Sequence, residues 1–196
     1  MMFSVIYFII VLMNQANKIQ KIDPLWSIVE KQYELIKMCG EGMYGQVVKA
    51  RSRSSGQMVA IKLIKNFLGN RDVLRRLIGE VQILRQLSAM KNNQHTIKLL
   101  DIISDPCLEK DYVFLVTCYI ESDVKKVMIS SRDISFTEEH VKVILYNILC
   151  SLNFVHSANV MHRDLKPANI LLDGECQVRL CDFGFSRTVP SQWSPL

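Results

Sequence analysis

The sequence has no pair of cysteines at Cys-x-x-Cys spacing, although it contains six cysteines. Paired thiols at that spacing are the usual mark of a structural zinc site, so we expect no zinc. Several cysteines fall in segments that read as core strands or helix, and scattered thiols of this kind suit a reducing compartment. Internal repeats and low-complexity tracts are also missing. The length of 196 residues is enough for one ordinary domain or two small lobes.

A cluster of basic residues is missing as well, although the formal net charge is +5. Lysines and arginines are interleaved with acidic residues along the chain. Because a nucleic-acid interface needs clustered positive charge, we expect no nucleic-acid partner. A mildly basic groove for a phosphorylated small molecule is compatible with the same charge.

The N-terminal apolar run is too short to cross a membrane. The first 13 residues, MMFSVIYFIIVLM, are almost wholly apolar, but a spanning helix needs about 20 such residues. The first lysine is Lys18, which is on the wrong side of the run for a secretory signal. Three interpretations stay open: a non-native or mis-started upstream segment, an apolar arm that packs on the domain, and a membrane contact, which is the least favoured.

A sheet-plus-helix lobe is predicted from Tyr33 onward, after a polar stretch over residues 14–32 that reads as a linker. Two strands are predicted around a glycine-rich turn in YELIKMCGEGMYGQVVKA, and three more in MVAIKLI, TIKLLDII and YVFLVTCYI. A helix is predicted over RDVLRRLIGEVQILRQL, because its apolar residues recur at intervals of three and four. The predicted buried stripe of this helix consists of Leu74, Leu77, Ile78, Val81, Leu84 and Leu87.

A second, longer helix is predicted over FTEEHVKVILYNILCSLNFVHSA, with its N-cap at Thr137 or Ser135. Loops separated by two short strands follow, in HRDLKPANILLDGECQVRLCDFG. The predicted structure therefore changes after the sheet, from a lobe made mainly of strands to a long helix followed by loops and short strands. The predicted buried stripe of the long helix consists of Val141, Ile144, Leu145, Ile148, Leu149, Leu152 and Val155.

Three glycines, Gly40, Gly42 and Gly45, stand between the first two predicted strands. Glycine lets such a turn lie flat over a phosphate chain with its N–H groups pointing inward. The spacing G-x-G-x-x-G is weak by itself, since dinucleotide-binding turns share it. Those turns open a helix, whereas a strand follows here, so the context argues against a dinucleotide site.

Lys62 stands in an otherwise apolar strand, where an unpaired charge would be costly. One interpretation is that its side chain faces solvent at the edge of the sheet. Glu80 supports another, because it lies near the buried stripe of the first helix, where a bare carboxylate is equally unfavourable. A Lys62–Glu80 ion pair would satisfy both charges and hold an ammonium group within reach of the α- and β-phosphates of a nucleotide.

Phosphoryl transfer from a nucleotide needs few protein groups, and the stretch HRDLKPANILLDGECQVRLCDFG contains them in order. Asp164 supplies a carboxylate to accept the hydroxyl proton, and Lys166 supplies a cation beside the transferred phosphate. Asn169 and Asp182 supply hard oxygen ligands for Mg²⁺ between the phosphates. Any one of these residues alone is equally well explained as a charged or polar residue of a solvent-exposed turn. The four together, in this order, indicate phosphoryl transfer.

The motifs GEGMYGQV, VAIK, HRDLKPAN and DFG together resemble the signature set of the eukaryotic protein kinases, over about Tyr33 to Ser186. The stretches VHSANVMHRDLKPANILLD, CDFGFSR and YIESDVKKV are most similar to mitogen-activated protein kinases, and slightly less similar to cyclin-dependent kinases. The resemblance implies an α+β, bilobal kinase fold with a five-stranded antiparallel sheet and one helix in the N-terminal lobe. That lobe would cover residues 31–120, after a segment and linker at 1–30, and an incomplete, mainly helical C-terminal lobe would cover 121–196.

The resemblance also implies roles for individual residues, with ATP and Mg²⁺ as cofactors. Val47, Ala60 and Leu171 would enclose adenine, Thr117 would be the gatekeeper, and Asp123 would reach the ribose. Leu84, His162 and Phe183 would belong to an apolar spine. The implied catalytic set is Lys62, Glu80, Asp164 and Lys166, and the implied metal ligands are Asn169 and Asp182. The implied nucleotide-binding set is Gly40, Glu41, Gly42, Met43, Tyr44, Gly45, Val47, Ala60, Lys62, Thr117, Cys118, Tyr119, Ile120, Asp123, Leu171 and Cys181, in which Cys118 to Ile120 form the hinge.

The sequence departs from this family after Gly184, where only FSRTVPSQWSPL remains. It shows no Thr-x-Tyr, no Ala-Pro-Glu and no further helices, so we expect the long helix to lose part of its cover. A fragment, an alternative or incomplete gene product, and a real short protein all stay open.

Two functions follow from these observations. The first is an ATP-dependent protein serine/threonine kinase of the mitogen-activated type, cytoplasmic and/or nuclear, with protein substrates and an upstream activating kinase as partners. We expect weak or no phosphate transfer from this chain itself. The motif sequence HRDLKPAN favours a kinase that phosphorylates Ser or Thr over one that phosphorylates Tyr, because tyrosine kinases usually lack a lysine at the position of Lys166. The alternative is a non-catalytic module that binds nucleotide or a partner.

Overall fold

The structure is a computed structural model that describes residues 23–42, 45–105, 111–130 and 137–190. The described residues form two compact units. The sheet unit contains the described residues up to 75 together with 99–119, and the helical unit contains 76–98 and those from 120 onward. The predicted apolar run at residues 1–13 lies outside the described part of the chain.

The sheet unit is a five-stranded antiparallel sheet, as the sequence predicts. Its strands are β1 (Tyr33–Gly42), β2 (Gly45–Ser52), β3 (Met58–Lys65), β4 (Leu99–Ser104) and β5 (Tyr112–Cys118). Their order across the sheet is β1-β2-β3-β5-β4, and each neighbouring pair is antiparallel.

Side chains alternate between the two faces of this sheet, and one face forms the hydrophobic core. The fully buried positions of the central strands include Val48 on β2, Ile61 and Leu63 on β3, and Phe114 on β5. β-Branched and aromatic residues suit such a pleated, covered surface. The residues between them on the same strands therefore belong to the opposite face.

The stretch that we expected to be a linker departs from that expectation in its C-terminal part. Pro24–Ile28 forms a 3₁₀ helix, with the Asp23 carboxylate accepting a hydrogen bond from the Leu25 N–H. Trp26 is 1% exposed and Val29 is fully buried, and both belong to the core of the sheet unit. This short helix at Pro24–Ile28, named the Trp26 turn, therefore covers the core face of the sheet.

The first helix, α1 (Arg71–Ala89), confirms the predicted element and half of its stripe, while Leu74 and Val81 are half-buried. Leu77, Leu84 and Leu87 are buried, whereas Ile78 is 47% exposed, so its predicted burial was wrong. Ile83 and Glu80 are buried instead. The reason is the angular position on the helix: the buried face is centred on the row from 80 through 84 to 87, and Ile78 lies outside it.

The helical unit continues with short strands and two helices. These are β6 (Ser122–Asp123), α2 (Val124–Ser130), α3 (Glu138–Ser157), β7 (Val160–Met161), a 3₁₀ turn (Pro167–Asn169), β8 (Ile170–Leu172), β9 (Val178–Leu180) and β10 (Arg187–Thr188). They form two small sheets, β6-β8-β9 and β7-β10. The predicted short strands around HRDLKPAN and DFG are thus present.

The long helix α3 is capped by Thr137, whose side chain accepts from the His140 N–H. Its predicted stripe is buried only towards the C-terminal end, where Val155 is completely covered. Val141 and Leu145 are each 54% exposed and Leu149 is 57% exposed, so their predicted burial was wrong. Among the described residues, this part of the helix is therefore largely uncovered. None of the helices in the described ranges combines the length and apolarity needed to cross a membrane.

Candidate functional site

The glycine-rich turn joins β1 to β2, with Glu41 opposite Gln46 and Gly42 opposite Gly45. Gly45 has a φ of 115°, and a Cβ atom added there would overlap the carbonyl oxygen of Leu63. Only glycine fits this backbone conformation and this close approach of β2 to β3. The predicted binding residues Met43 and Tyr44 lie outside the described residues.

The predicted nucleotide-binding residues of the central strands share one face of the sheet. Val47 on β2 lies opposite Lys62 on β3, and Ala60 on β3 lies opposite Thr117 on β5. Lys62 is half-buried and alternates with the fully buried Ile61 and Leu63. All four residues therefore lie on the face opposite the hydrophobic core. The Lys62–Glu80 ion pair stays a prediction.

The end of β5 leads into the predicted hinge. The ammonium group of Lys49 lies 4.2 Å above the ring of Tyr119, a cation–π contact within the sheet unit. Cys118 and Ile120, on either side of Tyr119, are half-buried. The expected hydrogen bonds from this backbone to adenine stay a prediction.

Asp123 ends β6 and directly precedes α2, and its side chain bonds to the first turn of that helix. Its carboxylate accepts from the Lys126 N–H at 2.8 Å and pairs with the Lys126 ammonium at 2.9 Å. Leu171 on β8 lies opposite Asp123. It is half-buried, whereas its neighbours Ile170 and Leu172 are buried. Leu171 and Asp123 therefore lie together, and their adenine and ribose roles stay predictions.

The predicted catalytic loop is assembled around the carboxylate of Asp164. The Lys166 ammonium lies 2.7 Å from Asp164 Oδ2 and the Asn169 amide nitrogen lies 3.1 Å from the same oxygen. The Asn169 amide nitrogen also donates to the Asp164 carbonyl at 2.9 Å. Asn169 is buried, while Lys166 is exposed. The structure thus brings together the proposed base, cation and amide ligand on six consecutive residues.

His162 fixes the backbone on which Asp164 stands. Its Nδ1 accepts from the Asp164 N–H at 3.3 Å, and its Nε2 lies 2.9 Å from the Cys181 carbonyl, which can only accept. These partners select the neutral tautomer that carries its proton on Nε2. Burial lowers the pKa of His162 below its ordinary value, against the opposing effect of the Cys181 hydrogen bond. The buried neutral imidazole therefore connects the loop to the strand end before Asp182.

The DFG stretch holds its aspartate in an uncommon backbone conformation. Asp182 has a φ of 63°, and Phe183 is fully buried against the His162 ring with a centroid distance of 4.9 Å. The Asp182 and Glu80 carboxylates both lie beside Gly184, 3.6 Å and 3.9 Å from where its Cβ would stand. Left-handed non-glycine residues cluster at functional sites. The structure thus places two predicted site carboxylates next to one glycine.

The donor set fits a hard divalent cation. The amide nitrogen of Asn169 is committed to Asp164, so its oxygen is the atom that can coordinate a metal, and Asp182 adds carboxylate oxygens. Among the described residues there is no group of three or more His, Cys, Asp or Glu side chains suited to a metal. A cation here would therefore rely on Asn169, Asp182 and the oxygens of a bound phosphate, which is the arrangement typical of Mg²⁺.

Sequence reasoning missed two residues that support this site. Ser186 is buried, and its hydroxyl donates to the His162 carbonyl at 2.9 Å, which ties the residues after DFG to the catalytic loop. Gln46 bonds to Glu41 in the glycine-rich hairpin. The sequence contains no periodic or motif signal for Ser186. For Gln46 there is a signal, because it directly follows the third glycine of the glycine-rich turn. Cys181 is half-buried, and its predicted place in the nucleotide site stays a prediction.

The sheet unit thus contains a glycine-rich hairpin and a lysine on the face opposite its core, and the helical unit contains an Asp-Lys-Asn loop beside a DFG turn. Each of these features is typical of a protein kinase. The chain matches the protein kinase domain family over residues 33–194. It belongs to that family.

Curated relatives narrow the family further. The chain is 39% identical over 161 residues to mitogen-activated protein kinase 15 of Xenopus laevis. The aligned residues make up 82% of this chain and 26% of the relative. The chain is 39% identical over 165 residues to mitogen-activated protein kinase PMK1 of Pyricularia oryzae, covering 84% and 44%. For mitogen-activated protein kinase KSS1 of Saccharomyces cerevisiae the identity is 37% over 167 residues, covering 83% and 44%. The chain thus spans less than half the length of these relatives.

Proposed function

We propose that the protein is an ATP-dependent protein serine/threonine kinase of the mitogen-activated type, which transfers the γ-phosphate of ATP to Ser or Thr residues of protein substrates. Membership of the protein kinase family supports ATP and a divalent metal as cofactors. The names of the relatives support the mitogen-activated type. An upstream activating kinase is part of the same proposal.

The observation that carries the proposal is the Asp164 carboxylate held between the Lys166 ammonium and the Asn169 amide, at 2.7 and 3.1 Å. Phosphoryl transfer depends mainly on positioning and on electrostatic stabilisation. Asp164 would accept the proton of the substrate hydroxyl as it attacks phosphorus. Lys166 would stabilise the negative charge that develops on the transferred group.

The remaining groups hold the nucleotide. Asn169 and Asp182 would bind Mg²⁺, which bridges the phosphates and neutralises their charge. Lys62, on the sheet face opposite the core, would contact the phosphates under the glycine-rich turn. Val47, Ala60 and Thr117 share that face and would border adenine.

The experiment compares the full chain with Asp164→Asn. Nucleotide binding is measured by calorimetry and phosphate transfer is measured with a generic basic substrate protein. We expect the variant to keep nucleotide affinity within about twofold and to lose turnover by roughly 10²–10⁴-fold, as general-base removal does. Asp72→Asn, the same change at an exposed residue in the first turn of α1, is the control. Turnover that survives in Asp164→Asn would refute the assigned role.

A second candidate is a non-catalytic module that binds nucleotide or a partner. The observation that favours it is the exposed apolar part of α3 around Leu145 and Leu149, which is typical of a contact surface. Saturable nucleotide binding without transfer, in wild type and Asp164→Asn alike, would support this candidate over the first.

A further inference from the structure

The side chain of Gln46 connects the glycine-rich hairpin to the turn that covers the sheet core. Its amide oxygen accepts the indole N–H of Trp26 at 2.9 Å and the backbone N–H of Asp23 at 3.4 Å. Its amide nitrogen donates to the Glu41 carboxylate at 3.0 Å. Glu41 is also the backbone partner of Gln46 across the hairpin. The Gln46 side chain is therefore hydrogen-bonded both to Glu41 in the hairpin and to the 3₁₀ turn that contains Trp26.

The chemistry of the three partners allows only one orientation of this amide. An indole N–H and a backbone N–H can only donate, whereas an ionised carboxylate can only accept. The oxygen of Gln46 must therefore face Trp26 and Asp23, and its nitrogen must face Glu41. A reversed amide would lose all three hydrogen bonds.

The Trp26 end of this connection is anchored firmly. Trp26 is 1% exposed and packs edge-on against Phe114, with ring centroids 5.2 Å apart. Pro24 pre-sets the first position of the turn, and the Asp23 carboxylate caps it and pairs with the Lys65 ammonium. The pairing lowers the pKa of Asp23, chiefly through the hydrogen bond with Lys65. The anchor is therefore part of the core, while Glu41 at the other end is exposed.

We propose that Gln46 is a positioning residue for nucleotide binding, which holds the strand ends of the glycine-rich hairpin in register by tying Glu41 to the Trp26 turn. This inference rests on the proposed function, because the hairpin matters for the nucleotide only if a nucleotide binds there. Gln46 directly follows Gly45, whose backbone lies too close to the Leu63 carbonyl to leave room for a Cβ atom. The hydrogen bonds of Gln46 therefore form where β2 already approaches β3 closely.

The test uses Gln46→Glu, which keeps an acceptor for Trp26 but turns a second carboxylate oxygen towards Glu41. We expect amide hydrogen exchange at Glu41 and Gln46, followed by NMR, to become at least about threefold faster. Affinity for a fluorescent ATP analogue with Mg²⁺ should fall roughly three- to tenfold, the range for one lost hydrogen bond. Gln57→Glu, the same change at an exposed residue of the β2–β3 turn, is the matched control and should change neither value.

The double variant Gln46→Glu with Glu41→Gln separates positioning from charge. It restores one donor facing one acceptor with the polarity reversed, and its net charge equals that of the wild type. We expect exchange and affinity to return to the values of the Glu41→Gln single variant. A merely structural role would instead lower the melting temperature of the Gln46→Glu variant without a local change in exchange at Glu41 and Gln46.

A second variant, Trp26→Phe, keeps an aromatic ring in the core and removes only the indole donor. We expect faster exchange at Glu41 and Gln46, with exchange in β3 and β5 unchanged. Unaltered exchange at Glu41 in both Gln46→Glu and Trp26→Phe, or a double variant that fails to recover, would overturn the proposal. If the wild type binds no nucleotide, the proposed function fails, while the exchange comparison still decides whether Gln46 holds the hairpin.

Discussion

The two units of the chain treat their apolar residues differently. In the sheet unit the inward residues of the central strands, such as Ile61, Leu63 and Phe114, are fully buried, and the Trp26 turn completes their cover. In the helical unit α3 buries Val155 but leaves Leu149 and its neighbours on the outer surface exposed. The core face of the sheet is thus covered by residues of its own unit, whereas part of α3 is not covered by any described residue.

The candidate catalytic loop nevertheless keeps its geometry, because its supports are local. His162 bonds to the backbone of Asp164 and Cys181, and Ser186 bonds to the His162 carbonyl. The inner face of α3 adds to this support. The Asn147 side chain donates to the Cys176 carbonyl at 2.7 Å, and the buried Ser151 hydroxyl lies 3.4 Å from the Val178 carbonyl. The exposed face of α3 and the catalytic loop are therefore separate features of one unit.

Gly45→Ala should have the largest effect, and it acts on the well-covered unit. The added methyl group would overlap the Leu63 carbonyl oxygen, at a φ of 115° that side chains rarely adopt. We expect a loss of about 3 kcal/mol or more in the free energy of unfolding, from strain and overpacking together. Denaturant unfolding followed by Trp26 fluorescence in a Trp193→Phe background measures it.

The matched control is Gly40→Ala on β1, where no other atom lies within 4 Å of an added Cβ. Its free energy of unfolding should stay within about 1 kcal/mol of the wild type. Equal losses at the two glycines would show that the close approach of β2 to β3 does not govern the stability of the sheet unit.

The sequence predicts the sheet, both long helices and the order of the candidate site residues, because periodicity and motif spacing are local properties. It misses the Trp26 turn, since five residues of 3₁₀ helix have no period to detect. It also misassigns Leu145 and Leu149, because an amphipathic pattern shows which residues share a face and not what covers that face. The contact between Gln46 and Trp26 joins residues 20 apart in sequence and depends on packing.

The helical unit should lose stability on mild acidification through His95. The ring of His95 packs 5.2 Å from Phe154, and its Nδ1 lies 3.4 Å from the Ser151 hydroxyl. Burial lowers the pKa of His95 below its ordinary 6.5, so in that range the unfolded chain binds more protons than the folded one. The contribution is therefore present above about pH 6.5 and is lost as the pH falls towards the folded-state pKa.

The measurement is denaturant unfolding of wild type and His95→Gln between pH 7.5 and 5, followed by circular dichroism. The variant should show a shallower decline, and His156→Gln, at an exposed histidine at the end of α3, should follow the wild type. His162 contributes in the same direction, since burial lowers its pKa too. A wild-type stability that rises as the pH falls would contradict the predicted sign.

Leu149→Ala should have the smallest effect and tests the contrast between the units directly. Because Leu149 is 57% exposed, truncating it removes little buried surface, and we expect the free energy of unfolding to change by no more than about 0.5 kcal/mol. Leu63→Ala makes the same chemical change at a fully buried position of β3, where cavity formation should cost about 2–5 kcal/mol. Both are measured by denaturant unfolding at several protein concentrations. A large and concentration-dependent loss for Leu149→Ala would show that the exposed face of α3 is covered in solution by another copy of the chain, and the contrast between the two units would then belong to the isolated chain alone.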